Sequence, residues 1–229
     1  MKSSPWVSIW LSPRATVARV VAENPGRSLW VLAAIYGFSS VLNIFQSASL
    51  GTSFGPLTLV VIAVVLSPFW GYITFSVWSW VVFGVGRWFK GEGTYPAIRA
   101  AYAWSCVPFI LNIPLWFLMI FLFGRQLFLN FPEGYLLSDG MIAILFFILI
   151  SKVILAIWSL VIYLNGLAEV QQYSILRAIL NVIVSGIIVG LVMGVLWYLF
   201  LSFLGTTPAE PPKTTIQGST LQLLLRGGL

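Results

Sequence analysis

Residues 140–164 read GMIAILFFILISKVILAIWSLVIYL, an apolar run in which Lys152 is the one charged side chain. A helix needs roughly 20 predominantly apolar residues to cross about 30 Å of hydrocarbon. The run is long enough to do so, and inside lipid a helix satisfies its own backbone hydrogen bonds. It therefore predicts a transmembrane helix, and this one element already places the chain among integral membrane proteins.

Runs of the same kind occur elsewhere along the chain. Together they predict transmembrane helices over residues 28–50, 56–86, 100–124, 140–164 and 178–204. The third run contains Pro108 and Pro114, and each proline removes a backbone donor and favours a bend. We therefore expect an all-α fold, a polytopic transmembrane bundle of about five helices.

The composition supports this class. Hydrophobic residues make up 59% of the 229 residues, charged residues only 8%, and the mean hydropathy is +0.98. So few charges cannot cover the surface of a soluble domain of this size. The net charge is +6, but the basic residues flank apolar runs, so anionic lipid is the expected counter-charge and no nucleic-acid partner is expected.

The distribution of Lys and Arg predicts the orientation, because short cytoplasmic loops retain positive charge. One set of loops carries most of it, whereas the other holds only Arg125 and two residues of the tail, Lys213 and Arg226. We expect the N-terminus inside and the C-terminus outside. The predicted cytoplasmic cations are Lys2, Arg14, Arg19, Arg27, Arg87, Lys90, Arg99 and Arg177.

The segments outside the predicted spans are short. Residues 1–27 form a predicted cytoplasmic segment, in which Thr16–Glu23 places valines on one helical face and is expected to lie along the membrane interface. Residues 205–229 contain TTPAEPPKTTIQGST, whose Pro, Thr and Gly content cannot bury a core, so we expect a disordered tail.

Lys152 is the one charge inside a predicted span, and burying it without a partner costs on the order of 3 kcal/mol. Helical spacing places Lys152, Ser159 and Tyr163 along one stripe. This candidate intramembrane polar site is either an anion or headgroup site or a snorkelling, structurally hydrogen-bonded lysine. The candidate partners for its ammonium are Asn43, Asn112, Asn181 and the carbonyls freed near Pro108 and Pro114.

Two further sets of residues are candidates for contacts. Gly186, Gly190 and Gly194 recur every four residues, a spacing that lets helices approach closely, either within the chain or between two copies in a homo-oligomer. A second set of cations forms a candidate cytoplasmic contact face, either for anionic lipids alone or for a membrane or cytoplasmic protein partner. Its members are Arg87, Lys90, Arg99 and Arg177.

Several chemistries lack the residues that they need. The chain has no histidine and a single cysteine, Cys106, so no metal site, cofactor or disulfide is expected. No predicted span contains a carboxylate, and Ser151 points to a different helix face from Lys152. We therefore assign no catalytic residue and expect no enzyme activity.

Three stretches carry a resemblance to a known family. They are SPRATVARVVAENP over 12–25, GEGTYPAIRAAYAWSCVPFIL over 91–111 and WSLVIYLNGLAEVQQYSILRAILNVIV over 158–184. With the five predicted spans, they make the chain resemble the Yip family, the Ypt- or Rab-interacting-protein-like multi-pass membrane domain. The resemblance implies a role like that of eukaryotic members, which act in vesicle trafficking and membrane shaping through Rab-type GTPases, whereas many prokaryotic relatives have no assigned activity.

These observations lead to two functional expectations. The first is a non-enzymatic membrane protein that organises membrane or partner proteins, in a trafficking-like or membrane-homeostasis role, through its basic face. The alternative is a transporter or channel for a small anion or lipid that uses Lys152. A bacterial inner membrane is the favoured location, with an endomembrane as the alternative, because the chain has no long cytosolic domain.

Overall fold

The computed structural model describes residues 4–129 and 137–204, and these residues form helices with no strand among them. The expected tail over 205–229 lies outside the described residues. The all-α prediction is confirmed. The helices are α1 (Pro5–Ser8), α2 (Pro13–Glu23), α3 (Leu29–Ser47), α4 (Pro56–Trp88), α5 (Tyr95–Ser105), α6 (Asn112–Phe123), α7 (Asp139–Val170) and α8 (Ile175–Phe203).

Five segments are long and apolar enough to cross a membrane, as the sequence predicts. They are Leu29–Ser47, Pro56–Trp88, Tyr95–Leu129, Asp139–Val170 and Ile175–Phe203. Large apolar side chains on their outer faces are exposed, among them Val65, Phe147 and Ile154. A surface of this kind is stable in hydrocarbon and not in water.

The chain divides into two compact units, Met1–Gly186 and Ile187–Leu229. The first contains α1 to α7 and the beginning of α8. In the second, the described residues are the remainder of α8 and Leu204, with Trp197 and Phe200 in ring contact at 5.8 Å between centroids.

Small residues hold α3 and α4 against each other. Gly37 lies directly against the backbone of Ser67, and Gly71 lies against the backbone of Ala33, so closely that a Cβ on either glycine would overlap a carbonyl group. Since each helix offers two small residues four positions apart, their backbones meet without intervening side chains. A hydrogen bond also joins this pair of helices, because Trp70 Nε1 donates to Ser40 Oγ at 2.9 Å.

The third span is interrupted where the sequence predicts a bend. Helix α5 ends at Ser105, a 3-10 turn covers Val107–Leu111, and α6 then begins at Asn112. Pro108 lies inside the turn and cannot donate to the preceding helix. Pro114 lies in the first turn of α6, where its missing N–H would have had no helical partner, so it causes no second break.

Helices α4 and α7 end in the same way. Gly91 N donates to Gly86 O at 2.9 Å, and Tyr173 N donates to Ala168 O at 3.2 Å, the six-to-one bond of a Schellman motif. The residue that reverses the chain is Lys90 in one motif and Gln172 in the other, with φ of 60° and 54°. Helix α7 therefore continues to Val170, beyond the predicted span end at residue 164.

The other two turns of the bundle meet at the opposite end. Arg125 donates to the carbonyl of Gly51 and, at 2.8 Å, to that of Thr52. A Cβ on Gly51 would lie 2.8 Å from the carbonyl oxygen of Phe128. The guanidinium therefore satisfies carbonyls that the α3–α4 turn leaves without helical partners.

The N-terminal amphipathic segment is a helix that packs on the bundle. Helix α2 begins at Pro13, three residues before the predicted start, and buries Thr16, Val17 and Val20 against the bundle. Gly166 of α7 leaves room for Val17, because a Cβ there would lie 3.1 Å from its methyl group. The polar face carries Arg19, which donates to Ser8 Oγ at 3.0 Å.

We expect Gly71→Ala to lower the free energy of unfolding by about 1–3 kcal/mol, because the added methyl group must push α3 and α4 apart. Thermal unfolding in detergent measures the effect. Gly84→Ala is the matched control in the same helix, since a Cβ at Gly84 would meet no atom within 4 Å. Equal stability of the two variants would contradict the close approach of these helices.

Candidate functional site

A cavity of 360 Å³ lies beside Lys152, between α3, α6 and α7. Asn43 and Gln46 contribute the other polar side chains, and the rest of the lining is apolar, including Met119 and Ile148. A polar cluster at the edge of an apolar cavity is a common arrangement in ligand sites. The cavity therefore has the composition expected for a ligand with one polar group and an apolar body.

The ammonium of Lys152 has an aromatic neighbour and, among the described residues, no acidic one. Its Nζ lies 3.9 Å from the centroid of the Trp116 ring, a cation–π contact. Within residues 4–129 and 137–204, no carboxylate lies within ion-pair distance of it. Of the three asparagines proposed as partners, only Asn43 lines this cavity, and its Nδ2 donates to Ser39 O at 2.8 Å.

Ser159 and Tyr163 are not among the residues that line the Lys152 cavity. Ser159 Oγ donates to the carbonyl of Ser105 at 2.7 Å, and that carbonyl belongs to the last residue of α5 before the break. The hydroxyl of Tyr163 accepts a hydrogen bond from Trp78 Nε1 at 3.0 Å. Both residues thus join α7 to its neighbours and leave Lys152 as the one cavity residue of the predicted stripe.

The predicted contact residues Arg87, Lys90 and Arg177 lie at the same end of the bundle. Two hydrogen bonds join the loop after α4 to the loop before α8. The backbone carbonyl of Gln171 accepts from Glu92 N at 3.2 Å, and its side-chain oxygen accepts from Gly93 N at 3.1 Å. We call this end the basic end and define it by Arg14, Arg87, Lys90, Arg99 and Arg177.

Arg99 differs from the other members of the basic end. It donates to the Tyr72 hydroxyl at 3.1 Å, and its guanidinium lies 5.3 Å from the ring centroids of both Tyr72 and Tyr95. Arg87 stacks on Phe83 at 5.1 Å but is exposed, as is Lys90. Arg99 therefore has a packing role between α4 and α5, whereas Arg87 and Lys90 are free to meet a partner.

Gln171, whose side-chain amide is buried, was not among the residues predicted from the sequence. Its side chain is 1% exposed and occupies space left by Gly86, Gly91 and Gly93, where a Cβ on Gly86 or Gly91 would overlap it. The close spacing of these glycines was the available signal. The absence of side chains at these glycines therefore makes the space that the Gln171 side chain fills.

A second buried group fixes the start of α8. Asn181 Nδ2 donates to the Tyr173 hydroxyl at 2.8 Å and to the carbonyl of Val82 at 3.2 Å. Its side-chain oxygen accepts from Ser185 Oγ at 3.1 Å. Burial raises the pKa of Tyr173, so its hydroxyl stays protonated at neutral pH. Asn181 therefore connects α8 with α4 and the α7–α8 loop.

The glycine repeat Gly186, Gly190 and Gly194 remains a prediction. A Cβ on Gly186 would meet no heavy atom within 4 Å, and within the second unit the same holds for Gly190 and Gly194. Among the described residues, no group of three or more His, Cys, Asp or Glu side chains is arranged to hold a metal ion.

Comparison with known proteins gives one positive result. The family model described as the Yip1 domain matches residues 7–198. Comparisons with curated proteins and with solved structures give no match.

We expect Gln171→Ala to lower the free energy of unfolding by about 1–3 kcal/mol, because it removes the acceptor of a buried N–H and empties the space between the glycines. Thermal unfolding measures the loss, and faster hydrogen exchange at Gly93 would locate it. Glu92→Ala is the control, since that side chain lies in the same loop as Gly93 and is exposed. Unchanged exchange at Gly93 would contradict the role of Gln171.

Proposed function

Because the chain belongs to the Yip1 domain family of multi-pass membrane proteins, we propose that it is a non-enzymatic protein that organises membrane components or partner proteins through its basic end. The family is not known as enzymatic. The role is trafficking-like or concerns membrane homeostasis, and the favoured location is a bacterial inner membrane, with an endomembrane as the alternative.

The observation that carries this proposal is the positive charge of the basic end, which forms no ion pair within the described part of the chain. Three loops or helix ends contribute to it, and hydrogen bonds to Gln171 hold two of them together. The one ion pair in the described part of the chain is Arg27 with Glu23, at 3.0 Å. Arg87, Lys90 and Arg177 are exposed and keep their charge for an external partner.

The expected strength of attraction favours contact between the basic end and an anionic surface. Each Lys or Arg near an anionic leaflet contributes about 1 kcal/mol of attraction, which decays within a Debye length. The positive charge at this end also gives the proposed orientation, with the N-terminus and the basic end in the cytoplasm. A partner with an acidic surface would be attracted by the same charges.

We expect the variant Arg87→Glu/Lys90→Glu to lose about tenfold or more of its association with partner protein or anionic lipid, because two attractions become repulsions. Quantitative crosslinking and co-purification from the native membrane measure the association. Arg87→Lys/Lys90→Arg retains the charge at both positions and should behave like the wild type. Undiminished association of the charge-reversed variant, with normal membrane insertion, would contradict the organising role.

The cavity beside Lys152 favours a second candidate function, the transport of a small anion or a lipid. The cavity offers an ammonium without an acidic partner among its lining residues, together with two side-chain amides. A charge inside a membrane span is costly, and such charges often mark substrate or ion pathways, which is why Lys152 supports this alternative.

Under this alternative, Lys152→Leu should abolish flux in reconstituted vesicles while the protein still folds, because the cation that attracts the ligand is gone. Flux of a small anion and of a fluorescent lipid would be measured separately. Ser151→Ala is the control, since Ser151 donates to the carbonyl of Phe147 in its own helix and does not line the cavity. Flux that survives in Lys152→Leu excludes Lys152 from the pathway.

A further inference from the structure

A polar cleft of 470 Å³ lies where α2 meets the end of α7 and the start of α8. Three charged side chains from three helices line it: Arg14 from the first turn of α2, Glu169 from the last turn of α7 and Arg177 from the first turn of α8. Gln172, Tyr173 and Ser174 are the other polar residues of the lining. No span prediction indicated this site, because its members lie far apart in sequence.

The elements around the cleft are held in place by contacts away from it. Val17 packs α2 against Gly166 of α7. The α7–α8 loop is fixed by the Tyr173 N to Ala168 O bond and by the hydrogen bond between Asn181 and the Tyr173 hydroxyl. The cleft is therefore formed before any ligand binds, which lowers the cost of binding.

The charges of the cleft do not neutralise one another. Glu169 makes no ion pair within 4.0 Å with Arg14 or Arg177 in the described structure. Its backbone carbonyl, and not its carboxylate, accepts from Gln172 Nε2 at 2.7 Å. Two guanidiniums suit the oxygens of a phosphate group, and a separate carboxylate suits an ammonium. A ligand that carries both groups matches this arrangement.

Exposed apolar residues border the charged ones and distinguish a lipid from a free solute. Ile175 and Leu176 precede Arg177 in the first turn of α8 and are 42% and 63% exposed. Leu11, in the link between α1 and α2, is 88% exposed. Such side chains favour the boundary between headgroups and acyl chains. Because Ile175 and Leu176 lie between Ser174 and Arg177 of the lining, the polar cleft adjoins apolar side chains suited to contact with acyl chains.

We propose that this cleft binds the headgroup of phosphatidylethanolamine. Arg14 and Arg177 donate to the phosphodiester oxygens, and the carboxylate of Glu169 accepts from the primary ammonium. The site shares Arg14 and Arg177 with the basic end and so deepens the proposed organising role, but that role is tested at Arg87 and Lys90, and neither of these lines the cleft. Failure of one proposal therefore leaves the other standing.

Native mass spectrometry of the full chain in non-ionic detergent tests the site. Phosphatidylethanolamine and phosphatidylglycerol with identical acyl chains are added in competition. The wild type is expected to retain phosphatidylethanolamine preferentially. Arg14→Gln/Arg177→Gln should reduce retention of both lipids about tenfold or more, since each loses charge-assisted hydrogen bonds to the phosphate.

Glu169→Gln is the decisive variant, because it removes the acceptor for the ammonium and leaves both guanidiniums. Its preference should shift about tenfold towards phosphatidylglycerol. Arg27→Gln and Glu92→Gln are the matched controls, since both side chains are exposed and do not line the cleft. The controls should keep the wild-type preference.

Three other results would each contradict part of the proposal. An unchanged lipid preference in Glu169→Gln overturns the assignment of the ammonium, and unchanged retention in the arginine variant overturns the site. Binding of free phosphoethanolamine without retention of the lipid means that the cleft takes a soluble phosphate compound, and the lipid assignment is then wrong. If the double variant does not fold, Arg14→Gln alone serves, since Arg14 is exposed.

Discussion

The need to satisfy backbone hydrogen bonds wherever the chain is buried from water governs this structure. A continuous helix meets that need by itself, so each place where the chain leaves a helix requires another partner. The structure provides one at three such places. Arg125 satisfies the turn after α3, Gln171 receives the N–H of Gly93, and Ser159 donates to the carbonyl of Ser105 at the break in the third span. These polar contacts decide how the helices can be arranged.

The two ends of the bundle differ in how they use charge. At the end opposite the basic end, the guanidinium of Arg125 donates to backbone carbonyls of the chain itself. At the basic end, Arg99 packs against two tyrosine rings. The other cations of this end are exposed and remain available. The difference explains why contact with lipid headgroups or partners is proposed for one end alone. Lys152 is intermediate, since an aromatic ring supports its charge without neutralising it.

The sequence was a good guide to the helices and a poor guide to their contacts. Hydropathy is a property of the local sequence, so the five spans were predictable from it. The break at Pro108 was predictable because proline lacks a backbone donor. Ser159 and Tyr163 share a helix face with Lys152, but seven residues of helix rise about 10 Å, enough to reach a different set of neighbours. The pairing of Gly37 with Ser67 was not predicted either, because small residues at that spacing recur in several helices.

The position of Gln171 also bears on the order in which the chain becomes ordered during synthesis. The α3–α4 hairpin is joined by residues close in sequence, as in the bond between Trp70 and Ser40, 30 residues apart. It can form as soon as α4 has been inserted. The bond between Gly93 and Gln171 joins residues 78 apart, so the loop after α4 cannot reach its final structure before α7 has been inserted. Until then, the N–H of Gly93 lacks its acceptor in Gln171, so the loop after α4 is completed later in synthesis than the α3–α4 hairpin.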